Sequence, residues 1–104
     1  MKYRLFIDDL RYPTTPDWLV ARTSYDAIYA VRNYGMPYEI AFDHDLSGED
    51  TAMAFIGWLE EQVATGDITI PDDFFFTVHS QNPVGKRNIN QAMTHLLETY
   101  VYKD

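Results

Sequence analysis

The chain has 104 residues, a hydrophobic fraction of 46% and a formal net charge of −8, which predicts one globular domain over residues 1–104 and excludes a disordered chain. The acidic excess excludes a protein that coats DNA, which needs clustered lysine and arginine, and no apolar stretch is long enough to span a membrane. The absence of cysteine excludes disulfides and thiolate zinc sites and fits a cytoplasmic protein.

Four short runs have the β-branched or aromatic content of buried strands: Tyr3–Ile7, Trp18–Arg22, Glu39–Phe42 and Phe74–Val78. A turn-rich loop, Leu10–Asp17, separates the first two runs. A helical pattern follows each of the second, third and fourth runs. The first helix is expected to begin near Thr23, which has capping-box spacing to Asp26. The second is expected over residues 51–64, and the third at Asn82-Pro83, an N-cap followed by proline.

The order of elements is therefore strand, strand, helix, strand, helix, strand, helix. Strands that alternate with helices favour parallel crossovers and an α/β fold. We expect a small three-layer sandwich of receiver or flavodoxin type, with a mostly parallel sheet of about four strands and about three helices. The short connection between the first two strands leaves their relative direction open.

Three of the runs end in residues that handle metals or phosphate. Asp8-Asp9 follows the first run, Asp43-His44-Asp45 follows the third, and His79-Ser80 follows the fourth. Parallel strands place their carboxyl ends along one edge of the sheet, where ligands of open α/β sheets bind. Clustered carboxylates repel each other unless a cation or a proton offsets them. The pattern therefore predicts a divalent metal and, through it, a phosphate ligand.

Oxygen ligands suit Mg²⁺ or Mn²⁺, and the candidate ligands are Asp8, Asp9, Asp43 and Asp45. Asp43 could instead act as a nucleophile toward phosphorus. Histidine acts as a general acid or base near neutral pH, which makes His44 and His79 catalytic candidates. The structural alternatives are an acidic turn at Asp8-Asp9 and helix capping by Asp45, with His44 buried.

Candidate substrate-binding residues lie at the start of the last helix and near the same sheet edge. A helix N-terminus offers free amides and a favourable dipole to phosphate. The residues in question are Ser80, Asn82, Gly85, Lys86, Arg11, Arg22 and Thr23. The structural alternatives are that Lys86 points into solvent and that Arg22 only pairs with an aspartate.

The acidic pair Asp8-Asp9 after the first strand and Asp43 after a central strand resemble the layout of response-regulator receiver domains. Four segments resemble a divergent branch, the cyclic-phosphate-processing receiver-like family: Leu5–Arg11, Trp18 with Val20–Thr23, Phe42–Leu46 and His79–Gly85. The resemblance covers nearly the whole chain. It implies a receiver-like fold, a metal–carboxylate centre and a role in processing cyclic phosphates.

The chain departs from typical receivers in one respect. Receivers carry a lysine after a fifth strand, and that lysine helps to stabilise an acyl phosphate. Here the fourth strand is followed by His79-Ser80 and by a last helix expected to reach Tyr102-Lys103. The departure argues against ordinary phosphorelay signalling.

The leading hypothesis is a metal-dependent phosphoesterase-like domain that acts on or binds a cyclic phosphate, either a cyclic nucleotide or an RNA-terminal cyclic phosphate. Its partner would be a phosphate-containing small molecule or an RNA end. One alternative is aspartyl-phosphate chemistry on Asp43. Another is a non-catalytic acidic module that sequesters a nucleotide or a basic protein partner.

Overall fold

The computed structural model describes residues 2–102. Seven elements follow in chain order: β1 (Arg4–Ile7), β2 (Trp18–Ala21), α1 (Ser24–Tyr34), β3 (Glu39–Phe42), α2 (Ala52–Ala64), β4 (Phe75–Val78) and α3 (Pro83–Tyr100). The order agrees with the prediction from the sequence. Helix α3 ends at Tyr100, and Lys103, which we expected it to reach, lies outside the described residues.

The strands form one fully parallel sheet in the order β2-β1-β3-β4. The relative direction of β1 and β2, which the sequence left open, is therefore parallel. The predicted α/β receiver-like fold with four strands and three helices is confirmed. Because all strands run the same way, the residues that follow Ile7, Phe42 and Val78 meet at one edge of the sheet.

The hydrophobic core lies on one face of the sheet. Leu5, Ile7, Ile40 and Phe42 are fully buried there, and α2 packs between α1 and α3 over the same face. Helix α1 connects β2 to β3 and α2 connects β3 to β4, so both connections run toward the same side edge of the sheet. Because such crossovers are right-handed, both helices lie on the same face. The arrangement therefore has two layers where we expected three.

The connection from β1 to β2 crosses the opposite face. This connection runs across the sheet in the direction opposite to the connections through α1 and α2, so a right-handed crossover places it on the face without helices. Its ten residues, 8–17, contain no helix. This face is consequently covered by a loop alone. We call residues 8–17 the crossover loop.

Each helix begins at a polar residue whose side chain accepts a backbone hydrogen bond. Thr23 accepts from Asp26 N, Thr51 from Met53 N, and Asn82 from Val84 N and Gly85 N. Such caps satisfy amides that have no partner within the helix. The predicted starts near Thr23, Thr51 and Asn82 are thus confirmed. Within residues 2–102, no helix is both long and apolar enough to cross a membrane.

Candidate functional site

Asp8, the first residue after β1, is the centre of a hydrogen-bonded cluster and is only 1% exposed. Its Oδ1 accepts from the backbone amides of Leu10 and Arg11 at 2.9 and 2.8 Å. Its Oδ2 is 3.0 Å from both Arg11 Nε and His79 Nε2. Burial alone would raise the pKa of Asp8, but the two amides, His79 and Arg11 together lower it. Asp8 is therefore held as a carboxylate.

The contact with Asp8 fixes the tautomer and the orientation of His79. An ionised carboxylate only accepts hydrogen bonds, so Nε2 of His79 is the donor to Asp8, and in the neutral imidazole Nδ1 is the nitrogen without a proton. The imidazole also stacks on the Phe6 ring, with centroids 4.9 Å apart and planes within 8°. Two independent contacts thus hold one ring position.

Asp9 and Asp43 complete a group of three carboxylates with Asp8. One oxygen of each lies within 4.8 Å of the others. Arg11 Nη2 is 3.6 Å from Asp43 Oδ2, so the guanidinium bridges two acids of the group. Burial and the charge of Asp8 nevertheless raise the pKa of Asp43, against the opposing effect of Arg11 and His79. The group holds more negative charge than Arg11 offsets.

The donor chemistry of this group suits a hard divalent cation. All three residues offer carboxylate oxygens, and Mg²⁺ commonly uses one or two carboxylates together with water and phosphate. Both oxygens of Asp8 already accept hydrogen bonds. Asp9 and Asp43 are consequently the better candidate metal ligands, and Asp8 is a weaker candidate.

Asp45, the fourth metal ligand expected from the sequence, lies outside this group and belongs to a second polar network. Its side chain is 61% exposed. Oδ1 is 3.0 Å from His44 Nδ1, and Oδ2 accepts from Asn82 Nδ2 at 3.1 Å. These two hydrogen bonds lower the pKa of Asp45. The network ties the loop after β3 to the start of α3.

His44 packs directly against Gly85 in the first turns of α3. A Cβ atom added to Gly85 would lie 2.3 Å from His44 Cγ, so only glycine fits at this position. The close approach therefore explains the glycine at position 85 by packing alone, without a bound phosphate. His44 is 12% exposed and meets Asp45 rather than the carboxylate group. Its catalytic role stays a prediction.

The remaining expected binding residues have identifiable local contacts. Arg22 Nη1 donates to the carbonyls of Asp8 and Arg11 at 2.9 and 2.6 Å, which fixes the start of the crossover loop. Ser80 Oγ accepts from Asn82 N at 3.1 Å. Thr23 caps α1, and the Lys86 side chain is exposed in the first turns of α3. Of the seven expected binding residues, the structure brings Arg11 into contact with Asp8 and Asp43.

A cleft of about 310 Å³ lies between the crossover loop and the open sheet face, beside the Asp8 group. Arg11 and His79 border it at the carboxyl edge of the sheet. Sequence reasoning did not find the other lining residues, which include Phe6, Trp18, Glu39, Ala41 and Thr77. A signal was present, since Glu39 and Thr77 are polar residues next to the apolar Ile40, Phe76 and Val78, and polar residues within strands are typical of a sheet with one uncovered face.

Comparison with known proteins gave one match. A family model described as the cyclic-phosphate processing receiver domain matches residues 3–95. No curated protein and no solved structure matches the chain. The matched range contains the Asp8 group, the His44 network and the cleft.

Proposed function

The chain belongs to the cyclic-phosphate processing receiver domain family, and we propose that it hydrolyses a cyclic phosphodiester at the cluster of Asp8, Arg11, Asp43 and His79. The family assignment makes it a receiver-like domain associated with cyclic-phosphate processing. The observation that carries the finer proposal is the Asp8–His79 pair at the edge of the cleft. A buried carboxylate that orients an imidazole is a common arrangement for general-base catalysis.

His79 would move the protons of the reaction. Its free Nδ1 accepts a proton from a water molecule as the water oxygen attacks phosphorus. One phosphorus–oxygen bond of the ring then breaks, and the same proton passes to the departing alkoxide. The product is a phosphate monoester with a new hydroxyl group. Asp8 acts as a positioning residue, because its charge stabilises the imidazolium that forms during the step.

Arg11 would bind the phosphoryl oxygens. Its guanidinium is 46% exposed, borders the cleft and lies beside both Asp43 and the backbone carbonyl of His79. Guanidinium groups bind phosphate through paired, charge-assisted hydrogen bonds. This position would place a phosphorus atom next to the imidazole.

Asp9 and Asp43 would hold a divalent cation. Three carboxylates against one guanidinium leave two formal negative charges (3 − 1 = 2), which would repel a phosphate. The chemistry that a bound Mg²⁺ or Mn²⁺ supplies is neutralisation of phosphoryl charge and a lower pKa of a bound water. Burial, followed by the charge of Asp8, raises the pKa of Asp43, and a bound cation would favour its ionised form.

The test is turnover by His79→Ala with His95→Ala as the matched control. His95 is exposed on α3, so its loss should leave activity unchanged. Adenosine 2′,3′-cyclic and 3′,5′-cyclic phosphate are assayed with Mg²⁺, Mn²⁺ and excess chelator. Loss of a general base should lower kcat by at least about 100-fold, and added imidazole should restore part of the rate.

Three results would contradict the proposal. Full activity in His79→Ala would remove the proposed base. Tight binding by the unaltered protein without any turnover would favour the non-catalytic binding module. A mass increase of Asp43 by one phosphoryl group after treatment with acetyl phosphate, without cyclic-phosphate hydrolysis, would favour aspartyl-phosphate chemistry.

A further inference from the structure

We propose that the cleft under the crossover loop binds the base of a nucleoside cyclic phosphate. The inference rests on the proposed function, because it assumes that phosphate binds at Arg11 and His79. It goes further by assigning the base a binding site in the fold, which would make the substrate a nucleoside derivative rather than the cyclic phosphate of a simple polyol.

The size of the cleft fits one nucleoside. Its volume of about 310 Å³ lies at the lower end of the range for small-molecule sites. Such a volume can hold one base with its sugar, so the cleft would take a single nucleoside.

Ala41, which is 5% exposed, is a small residue between larger neighbours at the floor of the cleft. In the sheet register Ala41 pairs with Phe6 on one side and Thr77 on the other. All three side chains point to the face away from the helices and line the cleft. A small residue in the central position leaves room for a flat ring directly over the sheet.

Aromatic rings border this space. Trp18 and Tyr12 both line the cleft, and each is held by a guanidinium, with Arg4 4.5 Å from the Trp18 ring and Arg22 4.5 Å from the Tyr12 ring. Bases stack on such rings, with a gain of about 1–3 kcal/mol per base. An apolar ligand would use these walls equally well, but it would make no hydrogen bond to Arg11 or Glu39 at the two ends of the cleft.

Both ends of the cleft are polar. Arg11 and His79 lie at the carboxyl edge of the sheet, and at the amino end of β3 the Glu39 carboxylate lies 3.7 Å from Arg4 Nη1. Asp43 lies four positions after Glu39, which is roughly 13 Å along a strand. A ligand with a phosphate at one end, a flat ring in the middle and a hydrogen-bond donor at the other end matches this order.

The experiment compares each nucleoside cyclic phosphate with a base-free ring of the same size. Adenosine 2′,3′-cyclic phosphate is paired with glycerol 1,2-cyclic phosphate, and adenosine 3′,5′-cyclic phosphate with 1,3-propanediol cyclic phosphate. The unaltered protein should favour the nucleoside in kcat/KM by about tenfold or more, the range expected from stacking one base. Calorimetric binding is measured for the same four compounds.

Ala41→Leu fills the floor of the cleft and should lower the preference for the nucleoside at least tenfold. Ala54→Leu is the matched control, since Ala54 is exposed on α2 and far from the cleft face. Tyr12→Ala is a second variant that removes a wall without touching the core, because Tyr12 is 78% exposed. It should lower the same preference.

The outcomes separate the two proposals. Hydrolysis of both members of a pair at similar rates, or an unchanged preference in Ala41→Leu and Tyr12→Ala, overturns the cleft inference and leaves the proposed hydrolysis standing. Nucleoside binding that Ala41→Leu weakens, without turnover, supports the cleft and overturns hydrolysis. Binding of neither compound overturns both.

Discussion

His79 and Asp8 form a hydrogen bond of 3.0 Å although they are 71 positions apart in the chain. The strands that carry them are not neighbours, because β3 lies between β1 and β4. The pair can meet because β3 ends at Phe42 and the chain turns away after it. The contact therefore depends on the parallel order of three strands, and it exists only in the folded protein.

Asp8→Asn should reduce both activity and stability. The amide cannot stabilise an imidazolium as a carboxylate does, so we expect kcat to fall by at least about 100-fold. Loss of charged hydrogen bonds in a buried position should cost about 1–3 kcal/mol of unfolding free energy at pH 7. Turnover assays and urea unfolding measure the two effects.

The pH dependence of stability gives a separate check on Asp8. The pKa of Asp8 is lower in the folded protein than in the unfolded chain. Its stabilising contribution is therefore present above the unfolded pKa and is lost as the pH falls through the folded pKa. Asp8→Asn should lose less stability than the unaltered protein between pH 7 and pH 3. Equal losses in the two proteins would contradict the lowered pKa.

Asp43→Asn should raise stability while it weakens metal binding. The raised pKa of Asp43 means that the folded protein disfavours the ionised carboxylate, so stability should increase as the pH falls toward the folded pKa. A neutral amide removes that cost at pH 7 and should raise Tm. Calorimetric titration with Mg²⁺ and Mn²⁺ should show weaker binding. The exposed Asp72 provides a control through Asp72→Asn, which should change neither quantity.

The sequence predicted much of this site because strand ends converge by geometry alone. Asp8, Asp43 and His79 each follow a strand, and parallel pairing brings them together. The position of Asp45 could not be predicted in this way. Side chains alternate between faces only within a strand, and the chain bends after Phe42 until Asp45 pairs with Thr51 in an antiparallel bridge.

The layering was harder to predict than the strands. The strands were interpreted as buried on both faces, whereas Glu39 and Thr77 mark an uncovered face. The cleft depends further on the path of the crossover loop, which no periodicity encodes. The contact between His44 and Gly85 likewise requires the relative position of two elements distant in sequence.

Gly85→Ala should destabilise the protein although alanine favours helices. The new Cβ would collide with the His44 ring, and overpacking of this kind costs about 1–3 kcal/mol. Gly57 provides the matched control, because it lies within α2 and a Cβ there meets nothing within 4 Å. Gly57→Ala should stabilise by about 0.5–1 kcal/mol.

A double variant isolates the cause of the destabilisation. In the His44→Ala background, Gly85→Ala should cost less stability than it does in the unaltered protein, because the ring contacts at 2.3 and 2.6 Å are then absent and only the contact with the Cβ at 2.8 Å remains. Urea unfolding of the four proteins in the cycle measures the coupling. Independent, additive effects of the two substitutions would rule out direct contact as the reason.

Glu39 should favour a base that carries an amino group. Its carboxylate accepts hydrogen bonds only and lies at the end of the cleft opposite Arg11, with Oε1 3.7 Å from Arg4 Nη1. Cytidine 2′,3′-cyclic phosphate carries an amino group on the base where uridine 2′,3′-cyclic phosphate carries a carbonyl. The cytidine compound should therefore bind more tightly by roughly 1–3 kcal/mol. Glu39→Gln can also donate, so it should reduce this difference. An equal affinity for both in the unaltered protein would exclude the contact.

Tyr3 should make the fold sensitive to alkaline pH. Its hydroxyl donates to the Gly35 carbonyl at 2.7 Å, and burial, with a smaller effect of Tyr34, raises its pKa from 10.0 to about 12. The contribution is fully present below pH 10 and is lost as the pH rises through the folded pKa. Tyr3→Phe should therefore lose less stability than the unaltered protein between pH 9 and pH 11.5, measured by urea unfolding.

The one-sided core has a consequence for how this domain can change. Leu5, Ile7, Ile40 and Phe42 hold the fold from one face of the sheet, whereas the crossover loop and the alternate strand residues shape the cleft on the other. Strands β1 and β3 therefore carry two sets of positions with different physical roles. Substitutions at the cleft-facing positions would alter which ligands the cleft admits while the packed layer stays in place, so ligand preference and fold stability can vary separately.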